Sequence, residues 1–560
     1  YQDAVTLSAD VILTTTDSNI TFTSTLRSDA AESARDLTVN LDANSDGTSA
    51  DLILNGVVGG VSLPLDVISI TGDLDLNASI GNSPGATSII VSGDTNLGAD
   101  VETTGSQTYQ GAVTVSADIT LTTTNSNIDF DAIVNADTAG RALTLAAGSG
   151  DVTFDNAIGG STALGNLNIT TGALTAGAIK AQGTITVNNS ASSAITGIIS
   201  DGATAAILTK TGAGTLTLSG NSTYTGTTTI SVGTISLTHA NGLGTTGGST
   251  TIESGAQLTI ATDLIVAEDM NISGTGISSA GVINSSGAIT LSGDINVVAT
   301  SSIITTGNLT LSGNIIKTSG SNATLTISTD AQLQFTNASA ITATNNALSL
   351  DLTSDADLSG NEVIKLGANI TTNGGSLTIN SDTYLTKYIE VDTTGTSDGA
   401  VTFSGLVQGY IEDENRIILT GSGGYYYYDV TNSTAYNPVS QTYGTATLDG
   451  TLASGGSVSL GDGTLGWNGT QYTWTPDHSG DVEYLVLGGG GGGGADNAGG
   501  GGGGGVRTSD IDGQMSLTAE IGYIAVVGAG GAGGCDTSDC NESVNGDAGE
   551  NGYSSTFNSI

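Results

Sequence analysis

The chain has 560 residues, with 10 Lys and Arg against 54 Asp and Glu and a net charge of −44. A balance this acidic excludes nucleic acid and anionic membrane surfaces as partners, since both would repel it, while divalent cations would be attracted. Aromatics are 4% of the residues and Gly numbers 84, so the apolar side chains are mostly small aliphatics, and the length exceeds one ordinary core.

The first stretch, "YQDAVTLSADVILTTTDSNITF" from Tyr1, returns from Tyr109 as "YQGAVTVSADITLTTTNSNIDF". "RDLTV" at Arg35 likewise returns as "RALTL" at Arg141. In these segments, and in "ADLILNG", "DVTFDNA" and "NLNITTG", aliphatic residues alternate with Thr, Ser, Asn and Asp. Period two means strands with one apolar face, and the intervening Gly, Asn and Asp are turn formers. No 3.6-residue period is sustained, so helix should be nearly absent. Two architectures fit: a row of β-sandwiches, or a parallel β-solenoid in which each strand stacks on its equivalent in the next coil. Scarce aromatics, small apolar residues and the lack of long linkers favour the solenoid. The duplicated unit then spans several coils, and Tyr1 and Tyr109 are expected at equivalent positions along one axis.

Residues 1–204 thus read as duplicated strand repeats, and 205–410 as more of the same solenoid, with "GAITLSGDINV" and "GNLTLSGNII" placing a Gly after comparable strands. Residues 411–460 change character: "YIEDENRIILTGSGGYYYY" is rich in Tyr and charge and reads as a β-rich cap, a linker or an adhesive patch. Residues 461–560 hold glycine runs at 488–494, 499–505 and 528–534. Such runs make flexible linkers or, when packed, polyproline-II-like helices. The strands "EYLVL" and "YIAVV", with Trp467 and Trp474, offer a base for packing. The expected fold class is all-β: a parallel solenoid rod, a β-rich cap and a glycine-rich polyproline-II-like domain.

Candidate chemistry is sparse. Asp42, Asn44 and Asp46 before Gly47, with Asp51 downstream, are spaced like the start of a calcium loop, but Ile53 stands where a closing Glu would be needed. Asp355, Asp357, Ser359 and Glu362 form a weaker version, and in both places the same residues also simply make turns. Calcium is the one cofactor expected. Cys535 and Cys540 could close one small disulfide in an oxidising medium or remain free thiols. His239 and His478, the only histidines, fall in different regions, and no Lys-Ser/Thr follows the glycine runs as a phosphate loop requires, so no enzyme is expected. No apolar run approaches the ~20 residues of a membrane-spanning helix.

The stretch "LTKTGAGTLTLSGNSTYTGTTTISVGTISL", Leu208 to Leu237, closely resembles the passenger-associated transport repeat of bacterial autotransporters. The residues that carry the match are Lys210, Gly212, Gly214, Leu216, Leu218, Gly220, Asn221, Thr223, Tyr224, Gly226, Thr228, Ile230, Gly233 and Leu237. The duplicated segment before it is similar to the strand repeats of filamentous-haemagglutinin-like surface proteins. The last region resembles the glycine-rich C-terminal domain of bacterial surface proteins and phage-tail-type adhesins. These resemblances imply a right-handed β-helix, secreted or held at the surface of a bacterium, that acts as an adhesin. The implied partners are a host or neighbouring cell surface, polysaccharide or matrix. The competing expectations are a carbohydrate-active enzyme on a β-helix and a subunit that self-associates end to end into a filament or lattice. Both chain ends read as cut from a longer protein.

Overall fold

The computed structural model describes residues 1–409 except 31–33, 42–49, 61–62, 82–84, 355–362, 388, 398 and 406, and beyond 409 the strands alone. The chain forms two compact units, Tyr1–Leu333 and Gln334–Ile560. Among the described residues the helical content is one 3-10 turn, Ile277–Ser279.

In the first unit, alternation becomes burial. Val113–Val115, Ile128–Phe130 and Val152–Phe154 each bury their first and third residues and turn the middle one outward. Among the described residues the strand pairings of this unit are parallel and link a strand to its equivalent one coil on, as Leu145 pairs with Ile169, Ile169 with Val187 and Val187 with Lys210. The result is a β-solenoid, not a row of sandwiches. Leu121, Leu145 and Val187 are fully buried within it. Each such side chain contributes roughly 1.5–3 kcal/mol by leaving water.

Three faces make up a coil in the duplicated region. Both copies keep the same local pairings. Val5–Leu7 lies on Leu26–Ser28 as Val113–Val115 lies on Val134–Ala136. Ile20–Phe22 lies on Leu52–Leu54 as Ile128–Phe130 lies on Val152–Phe154. Tyr1 stacks on Phe22 with ring centroids 4.7 Å apart, and Tyr109 on Phe130 at 5.3 Å. Even so, Tyr1 and Tyr109 do not share one axis as expected. The face that begins with Ile20–Phe22 continues through Asp51–Leu54, Asp73–Leu76 and Thr95–Leu97 to Val113–Val115, the counterpart of Val5–Leu7. The third face of the first copy thus becomes the first face of the second. The duplicated unit stops part-way round a coil, and its second copy is turned by one face. Each face makes the same demand, small apolar residues inward and in register, so a duplication need not span whole coils.

Some polar residues that point inward are tied at the corners. Gln107, fully buried, donates from Nε2 to the Thr122 carbonyl at 2.9 Å and the Val101 carbonyl at 3.2 Å, and its Oε1 accepts the Tyr109 hydroxyl at 3.2 Å. Corner glycines of successive coils abut, so that a Cβ on Gly220 would overlap the carbonyl of Gly197 below it.

The second unit repeats the parallel pattern in its described residues, with Leu350 on Leu377 and Leu377 on Val401. At Arg416–Gly421 the pattern changes. This strand pairs parallel with Ile389–Asp392 on one side and antiparallel with Gly424–Asp429 on the other, and Thr445–Asp449 extends the meander. An antiparallel ribbon laid on the last parallel strand covers an edge that would otherwise template further pairing. A separate antiparallel sheet follows in the order Ser457–Leu460, Gly463–Trp467, Tyr472–Pro476, Tyr523–Val526 and Thr556–Phe557. Leu485–Leu487 pairs antiparallel with Val506–Thr508, so the segment carrying the first two glycine runs leaves one strand and returns to its partner. The runs themselves, with Cys535 and Cys540, lie outside the described residues.

Candidate functional site

Alternation along Ile207–Lys210 puts Leu208 and Lys210 on the inward face. Lys210 thereby occupies a place in an aliphatic column, between Val187 of the preceding coil and Ile230 of the next, and is fully buried. Its ammonium donates to the Gly212 carbonyl two residues on and to the Val232 carbonyl at 3.4 Å on the next coil. Burial alone pushes the group down to about 8. Gly233 makes the arrangement possible: its φ is +76°, and a Cβ there would meet the Gly212 carbonyl and sit 2.9 Å from Nζ. Lys317 repeats the device in "IIKTSG", fully buried, with Nζ on the Val298 carbonyl at 3.0 Å and on the Ser319 carbonyl, and burial holds it below the ordinary lysine range.

Further along the same repeat, the coil closes over a second polar group. Tyr224 is fully buried, its hydroxyl 2.6 Å from Thr228 Oγ1. Thr228 stacks on Thr250, whose Oγ1 donates to Glu268 Oε1 at 3.4 Å. Glu268 is 5% exposed. Burial above all, and then Asp269, pushes its carboxyl up to about 8, against the opposing bond from Thr250. Burial likewise raises the Tyr224 phenol. Four side chains on three successive coils, Tyr224, Thr228, Thr250 and Glu268, thus form a polar thread through an aliphatic interior.

On the outside, both copies of the duplication keep an Arg–Asp pair: Arg35 on Asp29 at 3.0 Å and Arg141 on Asp137 at 2.8 Å. The guanidinium bond to each carboxylate holds Asp29 and Asp137 below their ordinary range. Asp129 shifts the other way, raised by burial first and then by the carboxylates of Asp131, Asp155 and Asp151.

Of the sequence-derived calcium ligands, Asp42, Asn44 and Asp46 lie outside the described residues, as do Asp355, Asp357, Ser359 and Glu362. Asp51 opens the strand Asp51–Leu54, where its carboxylate accepts from Asn19 Nδ2 at 3.1 Å and its N–H donates to Asn19 Oδ1 at 3.0 Å. That pairing staples one coil to the next. Among the described residues no group of three or more His, Cys, Asp or Glu could hold a metal ion. His239 accepts the Asn241 N–H at 3.1 Å within a turn, and His478 lies outside the described residues. No helix of the described residues is long and apolar enough to cross a membrane.

Two family models match the chain. Residues 208–237 match the passenger-associated-transport-repeat, and residues 468–560 match the glycine-rich domain. No curated protein and no solved structure matches the chain. The first match falls on the coil just described and gives its residues physical roles: Lys210 and Tyr224 are its buried polar groups, and Gly220 and Gly233 are where neighbouring backbone leaves no room for a side chain. A passenger-type repeat built into a β-solenoid is the mark of an extracellular surface protein of the adhesin type.

Proposed function

We propose that the chain is the attachment-bearing part of a bacterial surface protein, a β-solenoid whose repetitive faces contact a host or neighbouring cell, polysaccharide or matrix, with the glycine-rich domain as a second contact region. The passenger-associated transport repeat, seated in a continuous parallel stack, carries this reading. Its architecture suits the task. Parallel in-register stacking satisfies backbone hydrogen bonds from coil to coil and leaves the outward positions free to vary. On the face that stacks Ile119–Thr122, Leu143–Ala146, Leu167–Thr171, Thr184–Asn189, Ile207–Lys210, Thr228–Ile230 and Ser249–Ile252, the outward residues are Thr, Asn or Ser except Ala146 and Ile207, a neutral polar surface on a chain of net charge −44. Such a surface offers hydroxyl and amide groups to the hydroxyls of neutral glycans, which carry no charge for the acidic chain to repel.

The test compares attachment of producing cells with that of cells lacking the gene, on polysaccharide-coated and on cell-coated surfaces. Loss of attachment in the deletion, restored by complementation, supports the proposal. Equal attachment with and without the chain rejects it.

A further inference from the structure

We propose that the polar thread of Tyr224, Thr228, Thr250 and Glu268 is a proton-operated lock: with the Glu268 carboxyl neutral the transport-repeat coils stay shut, and with it ionised they loosen locally. This goes beyond the adhesive reading and does not depend on it.

Glu268 precedes the strand Asp269–Gly274 and is buried at a corner of the solenoid. Among the described residues its side chain makes one hydrogen bond, the long one from Thr250, at 3.4 Å. The next coil presses on its backbone, since a Cβ on Gly293 would overlap the Glu268 carbonyl. The ionisable groups around it bring no positive charge. Tyr224 lies on the thread, Asp269 follows directly in sequence, and Asp294 sits on the next coil, with its N–H donating to Asp269 Oδ1 at 2.8 Å. The cation on the same face is Lys210, three pairings away through Ile230, Ile252 and Ile272, and its Nζ is already taken by two carbonyls.

A buried carboxylate with no counter-ion and one weak donor is far more costly than the neutral acid, so the closed coil selects the protonated form. The neutral acid keeps an O–H to donate within the thread. Ionisation removes that donor and adds a charge that only water can solvate, and water reaches it by opening the corner. The direction in pH follows. The carboxyl titrates at 4.5 in the unfolded chain and at about 8 in the closed coil. The stabilisation is complete below the lower value, declines as pH rises between the two, and is lost above the higher. The coils from Thr228 to Glu268 are therefore tightest in acidic surroundings, already partly loosened at neutral pH and loosest in alkaline surroundings.

Hydrogen exchange read by mass spectrometry on the full chain, at about pH 6 and about pH 9 and corrected for intrinsic exchange, tests this. Protection at Ser249–Ile252 and Asp269–Gly274 should fall with pH while that at Ile119–Thr122 and Leu143–Ala146 holds. Glu268→Gln, which keeps the shape and cannot ionise, should abolish the local fall. An equal fall in the Gln variant, a uniform fall along the solenoid, or no fall at all in the unmodified chain overturns the proposal. Should the variant not fold, the contrast between the two regions of the unmodified chain decides by itself.

Discussion

Replacing Phe130 by Ala probes what holds the duplicated coils together. Phe130 is buried in a stack of three rings, with Tyr109 below at 5.3 Å and Phe154 above at 4.7 Å, planes within 16° and 4° of parallel. Truncating a buried Phe costs roughly 3–5 kcal/mol through lost transfer energy and the cavity left behind. Each ring contact adds about 0.5–1.5 kcal/mol. The rigid coils above and below cannot collapse into the gap without breaking register, so the cavity cost and the two lost ring contacts act together and the expected loss is about 4–8 kcal/mol. In a solenoid each coil touches only its neighbours, so the loss should be local. Hydrogen exchange should show opening free energies reduced by that amount at Gln107–Tyr109, Ile128–Phe130 and Val152–Phe154, and unchanged at Ala256–Ile260. A loss under about 1 kcal/mol, or one spread evenly along the chain, would refute the stacked-coil reasoning.

Gly220→Ala forces a methyl into the Gly197 carbonyl and should cost about 1–3 kcal/mol, visible as a lowered Tm, whereas Gly60→Ala, whose Cβ would meet nothing within 4 Å among the described residues, should cost well under half of that. The glycine runs at 488–494, 499–505 and 528–534 are proposed to pack side by side as extended left-handed helices, since ordering each residue costs about 1–2 kcal/mol and cross-run backbone hydrogen bonds must offset it. Gly502→Val should then make this region protease-sensitive while the Tm of the solenoid stays put; equal resistance of variant and parent favours a flexible linker. Calcium is proposed to bind Asp42, Asn44 and Asp46, so calorimetric titration should show uptake and chelator should lower the Tm; no heat and no shift removes the site.

Much of the fold was legible in the sequence because a solenoid asks the same question of every coil. Alternation in "GAVTVSADITLT" placed Val113, Val115, Ile119 and Leu121 inward, and all four are buried. The recurrent Gly after "LTLS" marked corners where coils abut, as at Gly220 over Gly197. The turn of one face between the two copies was not legible. A repeat in sequence reports which residues recur but carries no angular phase, and the phase depends on how many residues each corner consumes. Lys210 was partly legible: the alternation that buries Leu208 also buries Lys210, but only the structure supplies the two carbonyls that make a buried ammonium tolerable. Glu268 gave no signal, because it precedes its strand and its depth is set by the corner and by Gly293 of the next coil.

The most direct measurement of the central claim is immunogold labelling of producing cells, intact and permeabilised, with an antibody raised against residues 1–333. An extracellular β-solenoid predicts dense gold outside intact cells and no further gain on permeabilisation. Gold that appears only once the cells are opened would contradict it.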